Sequence, residues 1–217
     1  MILFFILISL LLNLSSSSTK VIHPKSLENP VITFGSCLNL HTHPNPSIFQ
    51  SIFKQNSDVW IWIGDIAYFP PNSEDGEKMV NAFNKVKNIP FYNELRKSTP
   101  IIGMWDDHDY GQNNGDKNYK HKERNKQYYL DFLDEPLDSP RRTRDGLYES
   151  YYIGDENKVK VILLDVRYNK DAPSIFGGGD ILGENQWSWL EKEIKNNKAQ
   201  FTLIASGSQV LTDDRVF

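Results

Sequence analysis

Between residues 30 and 205 the chain alternates short apolar runs with amphipathic stretches, the pattern of a layered α/β domain. Pro30 to Gly35, Asp58 to Gly64 and Ile101 to Trp105 read as strands. Ser47 to Gln55 reads as a helix, with Pro46 and Ser47 at its start, Gln50 completing a capping box, and apolar i, i+4 pairs at Ile48/Ile52 and Phe49/Phe53. Phe69 to Lys78 is turn-rich. Met79 to Lys87 and Phe91 to Lys97 form two helical pieces divided by Pro90, which a helix interior does not accommodate. After Trp105 a polar Gly- and Asn-rich stretch runs to Asn118, and residues 120 to 133 are helical in pattern. Ser139 to Gly146 (SPRRTRDG) reads as an exposed basic turn. Leu147 to Ile153 and Val159 to Leu164 make a strand pair about a turn at Gly154 to Asn157. Glu184 to Asn196 is a helix with Trp187, Leu190 and Ile194 on one face, and Phe201 to Ala205 is a last strand. With no repeats or long linkers, residues 21–217 form one domain.

Composition narrows this picture. The 217 residues are 39% hydrophobic and 24% charged, enough for a single substantial core. A net charge of -4 gives no general field for nucleic acid or anionic membrane, and no nucleic-acid-binding signature is present. The segment before Lys20 carries an apolar run from Ile2 to Leu12, then Leu14 and four serines. It is too short to span a bilayer and has the small-residue exit of a secretory leader. Residues 1–20 are therefore expected to be a signal peptide, an uncleaved membrane anchor being the other reading. The mature protein would be secreted, with no transmembrane segment. The one cysteine, Cys37, has no intramolecular partner. It is either a small buried apolar residue or a working thiolate.

The residues just after the apolar runs hold the candidate chemistry: GSCLN (35–39), GDIAY (64–68), DDHDYGQNN (106–114), DVRY (165–168) and SGSQ (206–209). Layered α/β folds bind ligands beyond their strand ends. Asp65 leaves a buried strand, where a lone carboxylate is costly, so it calls for a cation or for several donors. Three carboxylates among Asp106, Asp107 and Asp109 repel one another unless something positive lies between them, and His108 is placed to be a ligand, a proton donor or a phosphate contact. His41 and His43 have metal-pair spacing, but Pro44 and Pro46 make that stretch a loop.

The ordered set FGSC, GDIAY, MWDDHDYGQNN, ILLDVRYNKD, ENQWSWLEKEI and FTLIASGSQV resembles the alkaline phosphatase D family, a branch of the calcineurin-like metallophosphoesterases. The resemblance covers nearly all of residues 31 to 215. It implies an α/β, four-layered sandwich of two mixed β-sheets flanked by helices, incomplete at the C-terminal side. It also implies metal ligands: Asp65 bridging two ions, with Cys37 and Tyr68 on one of them. Thiolate, phenolate and carboxylate together suit Fe3+, and oxygen ligands from residues 107–114, with Asp107 and Asn113, suit Ca2+. His108 would neutralise or protonate the phosphoryl group. Arg167 would fork onto phosphate, or pair structurally with Asp165 or Asp109. The implied reaction is phosphomonoester or phosphodiester hydrolysis by a metal-activated hydroxide. Family members continue into a Gly-Asp-x-His segment, whereas this chain ends at LTDDRVF. It reads as truncated, and the alternative is an inactive product or a metal- or phosphate-binding protein that keeps the fold.

Overall fold

The computed structural model describes residues 20–25, 29–42, 47–70, 76–154, 158–174 and 178–210. Residues 1–19 of the expected leader, His43, Pro44, Pro46 and the terminal LTDDRVF lie outside them. In chain order the elements are β1 (Lys20–Ile22), β2 (Ile32–Gly35), α1 (Ile48–Lys54), β3 (Val59–Ile63), α2 (Glu77–Lys87), α3 (Pro90–Ser98), β4 (Ile101–Met104), α4 (Asp107–Tyr110), α5 (Lys122–Phe132), a 3-10 turn (Pro140–Arg142), β5 (Glu149–Ile153), β6 (Val159–Leu163), α6 (Glu184–Lys195) and β7 (Phe201–Ala205). Strands β2, β3 and β4 form one sheet, parallel at both pairings. The other sheet runs β1-β5-β6-β7 and is mixed, with β5 and β6 antiparallel and the outer pairings parallel.

Side-chain alternation along the strands builds four layers. Val59 and Ile61 of β3 pack with Val159, Val161 and Leu163 of β6 in an apolar layer between the sheets. Trp60 and Trp62, on the opposite face of β3, are buried among α1, α2, α3 and α5 with Phe49, Phe83, Tyr92 and Tyr129. Each fully buried aromatic of this kind contributes roughly 1.5–3 kcal/mol. Beyond the second sheet, Ile162 packs with Leu182 and Leu190 beneath α6. The two tryptophans explain two glycines. Gly35 and Gly103 flank Trp62 in register, and a Cβ would come within 2.8 Å of the Trp60 ring at the first and of the Trp62 Cβ at the second.

Four expectations change. β1 was not anticipated; it starts at Lys20, inside the segment assigned to the leader, and pairs with β5. At α1 the Ser47 side chain makes no capping bond, because its backbone is already helical at φ -60°, ψ -15°. The basic segment SPRRTRDG is not a solvated turn. Arg141 is fully buried, with Nη1 donating to Glu135 Oε2 at 3.0 Å, Nε to the Leu147 carbonyl at 3.0 Å and Nη2 to the Gly103 carbonyl at 2.7 Å. β4 is an edge strand, and the guanidinium anchors its carbonyl to the turn. On α6 the buried residues are Gln186 and Leu190, while Trp187 and Ile194 are about half exposed. The helix is rotated so that the Gln186 carboxamide reaches the chain after β6. Among the described residues no helix is long and apolar enough to cross a membrane.

Candidate metal centre

Because β2, β3 and β4 run parallel, their C-terminal ends open on one side, and the loops leaving them converge there. Cys37 and Asp65, on the first two loops, hold left-handed backbone at φ 57° and 52°, a conformation non-glycine residues seldom adopt. The two loops are tied together: the Cys37 N–H donates to the Gly64 carbonyl (3.3 Å) and the Leu38 N–H to the Asp65 carbonyl (2.9 Å). Gly64, at φ +96°, lets the third loop approach; a Cβ there would lie 2.5 Å from the Asp106 Cβ. Strained backbone held in place by neighbours is a common feature of functional sites.

Asp65 sits at the middle of the cluster. Its Oδ2 faces the Tyr68 hydroxyl at 3.1 Å and the Cys37 Sγ at 3.8 Å, while its Oδ1 receives the His108 backbone N–H at 3.3 Å. One oxygen therefore addresses the thiol and phenol, the other the third loop. Ligand atoms of Asp65, Asp107 and His108 all lie within 4.8 Å of one another. Asp107 Oδ2 accepts the Asn114 N–H at 2.7 Å, and its Oδ1 lies 3.9 Å from His108 Nε2. The Tyr68 and His108 rings are 4.2 Å apart. Cys37 is exposed rather than buried, which removes its reading as a core residue. Asn113 is exposed beside Asn114; the contact to Asp107 comes from its neighbour's backbone.

Burial, then the charges of Asp106 and Asp107, pushes the Asp65 carboxyl above its ordinary range, against pulls from His108 and Tyr68. Burial, then the charges of Asp65 and Cys37, likewise holds the Tyr68 phenol protonated far above its usual range. Positive charge placed between the Asp65 carboxyl and the Tyr68 phenol would favour the ionised form of both. A multivalent cation would supply that charge, and the donor set of thiol, phenol, carboxylates and imidazole fits one.

Two members of the acidic run do other work. Asp109 is fully buried and accepts N–H bonds from Ile66 (2.9 Å), Ala67 (3.3 Å) and Asp106 (3.2 Å); with Asp106 it forms the capping box of α4. Its carboxyl is raised well above the ordinary range by burial first, then by Asp65. Donors, not a cation, answer its cost. Asp106 is the partner of Arg167, whose Nε donates to Oδ1 at 2.6 Å, where sequence reasoning offered phosphate, Asp165 or Asp109. Arg167 Nη2 lies 3.4 Å from Ser208 Oγ and 4.0 Å from Asp107 Oδ2. Asp165 positions that arginine, accepting the N–H groups of Leu147 (2.8 Å), Arg167 (2.9 Å) and Tyr168 (3.0 Å). Gln186 grips the Asp165 backbone, accepting its N–H and donating to its carbonyl, both at 2.8 Å. The spacing of Asp106 and Asp109 is a readable capping signal; nothing in the sequence marks Gln186.

These features define a class: a two-sheet α/β sandwich with a cation-type cluster beyond the ends of parallel strands. The chain belongs to the PhoD-like phosphatase family, whose profile matches residues 32–214. A solved structure of PhoD shares the fold at a TM-score of 0.64 and 18% identity, over 80% of this chain and 40% of that one. The chain thus spans less than half the length of that structure. No curated protein matches it.

Proposed function

We propose that the chain is a secreted, metal-dependent phosphoester hydrolase acting on phosphomonoesters and phosphodiesters. The observation that carries this reading is the two-sided Asp65 carboxylate, with Cys37 and Tyr68 at Oδ2 and the His108 loop at Oδ1. Family membership supports it, and the N-terminal apolar run supports secretion. Cys37, Tyr68 and Asp65 would hold an iron ion, and Asp65 and Asp107, with Asn113 nearby, a harder ion such as calcium. Ions bound there supply positive charge to the phosphoryl group and lower the pKa of the attacking water.

The chain's own residues do the rest. Asp106 keeps the Arg167 guanidinium beside Asp107, where it compensates negative charge on the bound ester. The partly exposed His108 imidazole, braced by the Tyr68 ring, donates a proton to the departing oxygen. The test is to load the 217-residue chain with iron and calcium and follow hydrolysis of bis-p-nitrophenyl phosphate. Turnover is expected, and Asp65→Asn should lower it by about 100-fold or more, since one substitution disturbs both sides of the site. Metal uptake without turnover would instead identify a metal-binding protein that keeps the fold.

A further inference from the structure

Of the strand-end segments, SGSQ after β7 is the one that the roles above leave unassigned. It begins where the Ala205 carbonyl accepts the Leu164 N–H at 3.0 Å, so it leaves the mixed sheet beside the chain that carries Arg167. The Ser206 hydroxyl then donates to the Ser208 carbonyl at 2.7 Å and closes a tight turn. Between the two serines, Gly207 lies against Asp106: a Cβ there would come 2.9 Å from the Asp106 Cγ and 3.0 Å from its Oδ1. Asp106 therefore meets a glycine from each sheet, Gly64 after β3 and Gly207 after β7. That close approach brings the Ser208 Oγ to 3.4 Å from Arg167 Nη2.

We propose that Ser208 is a positioning residue for Arg167: by accepting from Nη2 it fixes the plane of the guanidinium, so that the edge bearing Nη1 is presented to the bound phosphoryl group. The inference rests on the phosphoester reading of the metal centre. Arg167 is buried, with its backbone N–H held by Asp165 and its Nε by Asp106 at 2.6 Å. One side-chain bond fixes a point of a planar group and leaves the plane free to tilt about it, whereas a second acceptor fixes the plane. Tilt matters here because Nη2 is also 4.0 Å from Asp107 Oδ2. Released from Ser208, Nη2 closes on that carboxylate, and charge that would serve the ester is neutralised within the protein. Among the described residues Nη1 meets no acceptor and keeps some solvent contact, which leaves it for a phosphoryl oxygen.

Oxyanion binding tests the role without turnover. The 217-residue chain is loaded with iron and calcium, freed of unbound ions and titrated with methylphosphonate by calorimetry. Ser208→Ala is expected to bind about fivefold more weakly than wild type, the worth of one hydrogen bond. Ser208→Thr, which keeps the hydroxyl, should stay within about twofold of wild type. In an Arg167→Gln background Ser208→Ala should change nothing, because the serine acts through the arginine. Thermal melts check that each variant is folded, and if Arg167→Gln is not, or does not bind, the comparison of Ser208→Ala with Ser208→Thr decides alone. Unchanged affinity in Ser208→Ala, equal losses in Ser208→Ala and Ser208→Thr, or a loss that persists without Arg167 overturns the positioning role and leaves the phosphoester reading standing. If the loaded wild type does not bind methylphosphonate, that reading fails and the positioning role with it.

Discussion

Gly64 links backbone geometry to the chemistry. It ends β3 at φ +96°, and the room left by its missing side chain is taken by Asp106, the carboxylate that holds Arg167. Gly64→Ala combines a left-handed alanine with a 2.5 Å clash against the Asp106 Cβ. We expect a loss of about 2 kcal/mol or more in urea unfolding, together with displacement of Asp106 from Arg167 and a fall in turnover. Unchanged stability would mean that the loops separate easily and that their close approach is incidental. At this scale the sequence was informative where a carboxylate must leave a buried strand, as at Asp65, and where the Asp65-x-x-Tyr68 spacing returns a phenol to it. It was uninformative where partners are distant in the chain. Arg167 and Asp106 are 61 positions apart, and two of the N–H groups that satisfy Asp109, those of Ile66 and Ala67, come from a loop more than 40 positions earlier. Side-chain chemistry alone suggested a cation for all three acidic residues. Backbone donors, which leave no trace in composition, serve one of them.

At the level of elements, Arg141 and Glu135 fasten the 3-10 turn to the end of α5 and to both sheets. Glu135 accepts Lys20 of β1 and Ser139 on Oε1, and Arg141 on Oε2. Arg141→Met would strip a buried carboxylate of its main counter-charge and leave the Gly103 and Leu147 carbonyls without that donor; a loss on the order of 3–5 kcal/mol is expected. Glu135 also sets a pH dependence. Its carboxyl falls from the ordinary 4.5 to about 2, because the pull of Arg141 and the hydrogen bonds from Lys20 and Ser139 outweigh burial. A carboxylate depressed by folding contributes stability that is fully present above pH 4.5 and lost as pH falls through about 2. The contribution is on the order of 3 kcal/mol. Denaturant unfolding of wild type and Glu135→Gln should show a stability gap that narrows as pH is lowered across that window; a constant gap would assign the acid sensitivity to other groups. The strands of both sheets were readable because a buried strand is a short apolar run bounded by turn residues. The exceptions were β1, three residues long beside an apolar leader-like run, and the inward face of α6, where the buried residue is the polar Gln186 and apolar periodicity points the wrong way.

For the whole molecule, the arrangement that makes the fold stable also makes the site costly. The apolar layer between the sheets and the aromatic layer above them end at the strand termini, so the acidic residues emerge at the rim of the hydrophobic interior. There burial and mutual repulsion raise the Asp65 and Asp106 carboxyls, the latter despite the hydrogen bond and charge of Arg167. A ligand that binds this cluster when folded, and not the unfolded chain, stabilises the whole protein by mass action, about 2.7 kcal/mol at a hundred times its dissociation constant. For a chain of this length that corresponds to a rise in melting temperature of roughly 5–10 °C. Adding iron and calcium to chelator-treated protein should therefore raise its melting temperature by about this amount, and chelator should reverse it. Asp65→Asn should melt higher than wild type without metal, because one repelling charge is gone, and respond weakly or not at all to added ions. The crossing of the two orders is the decisive feature, since a variant that is merely damaged would melt lower under both conditions. Equal metal responses in wild type and Asp65→Asn would place the ions elsewhere and remove Asp65 from the centre.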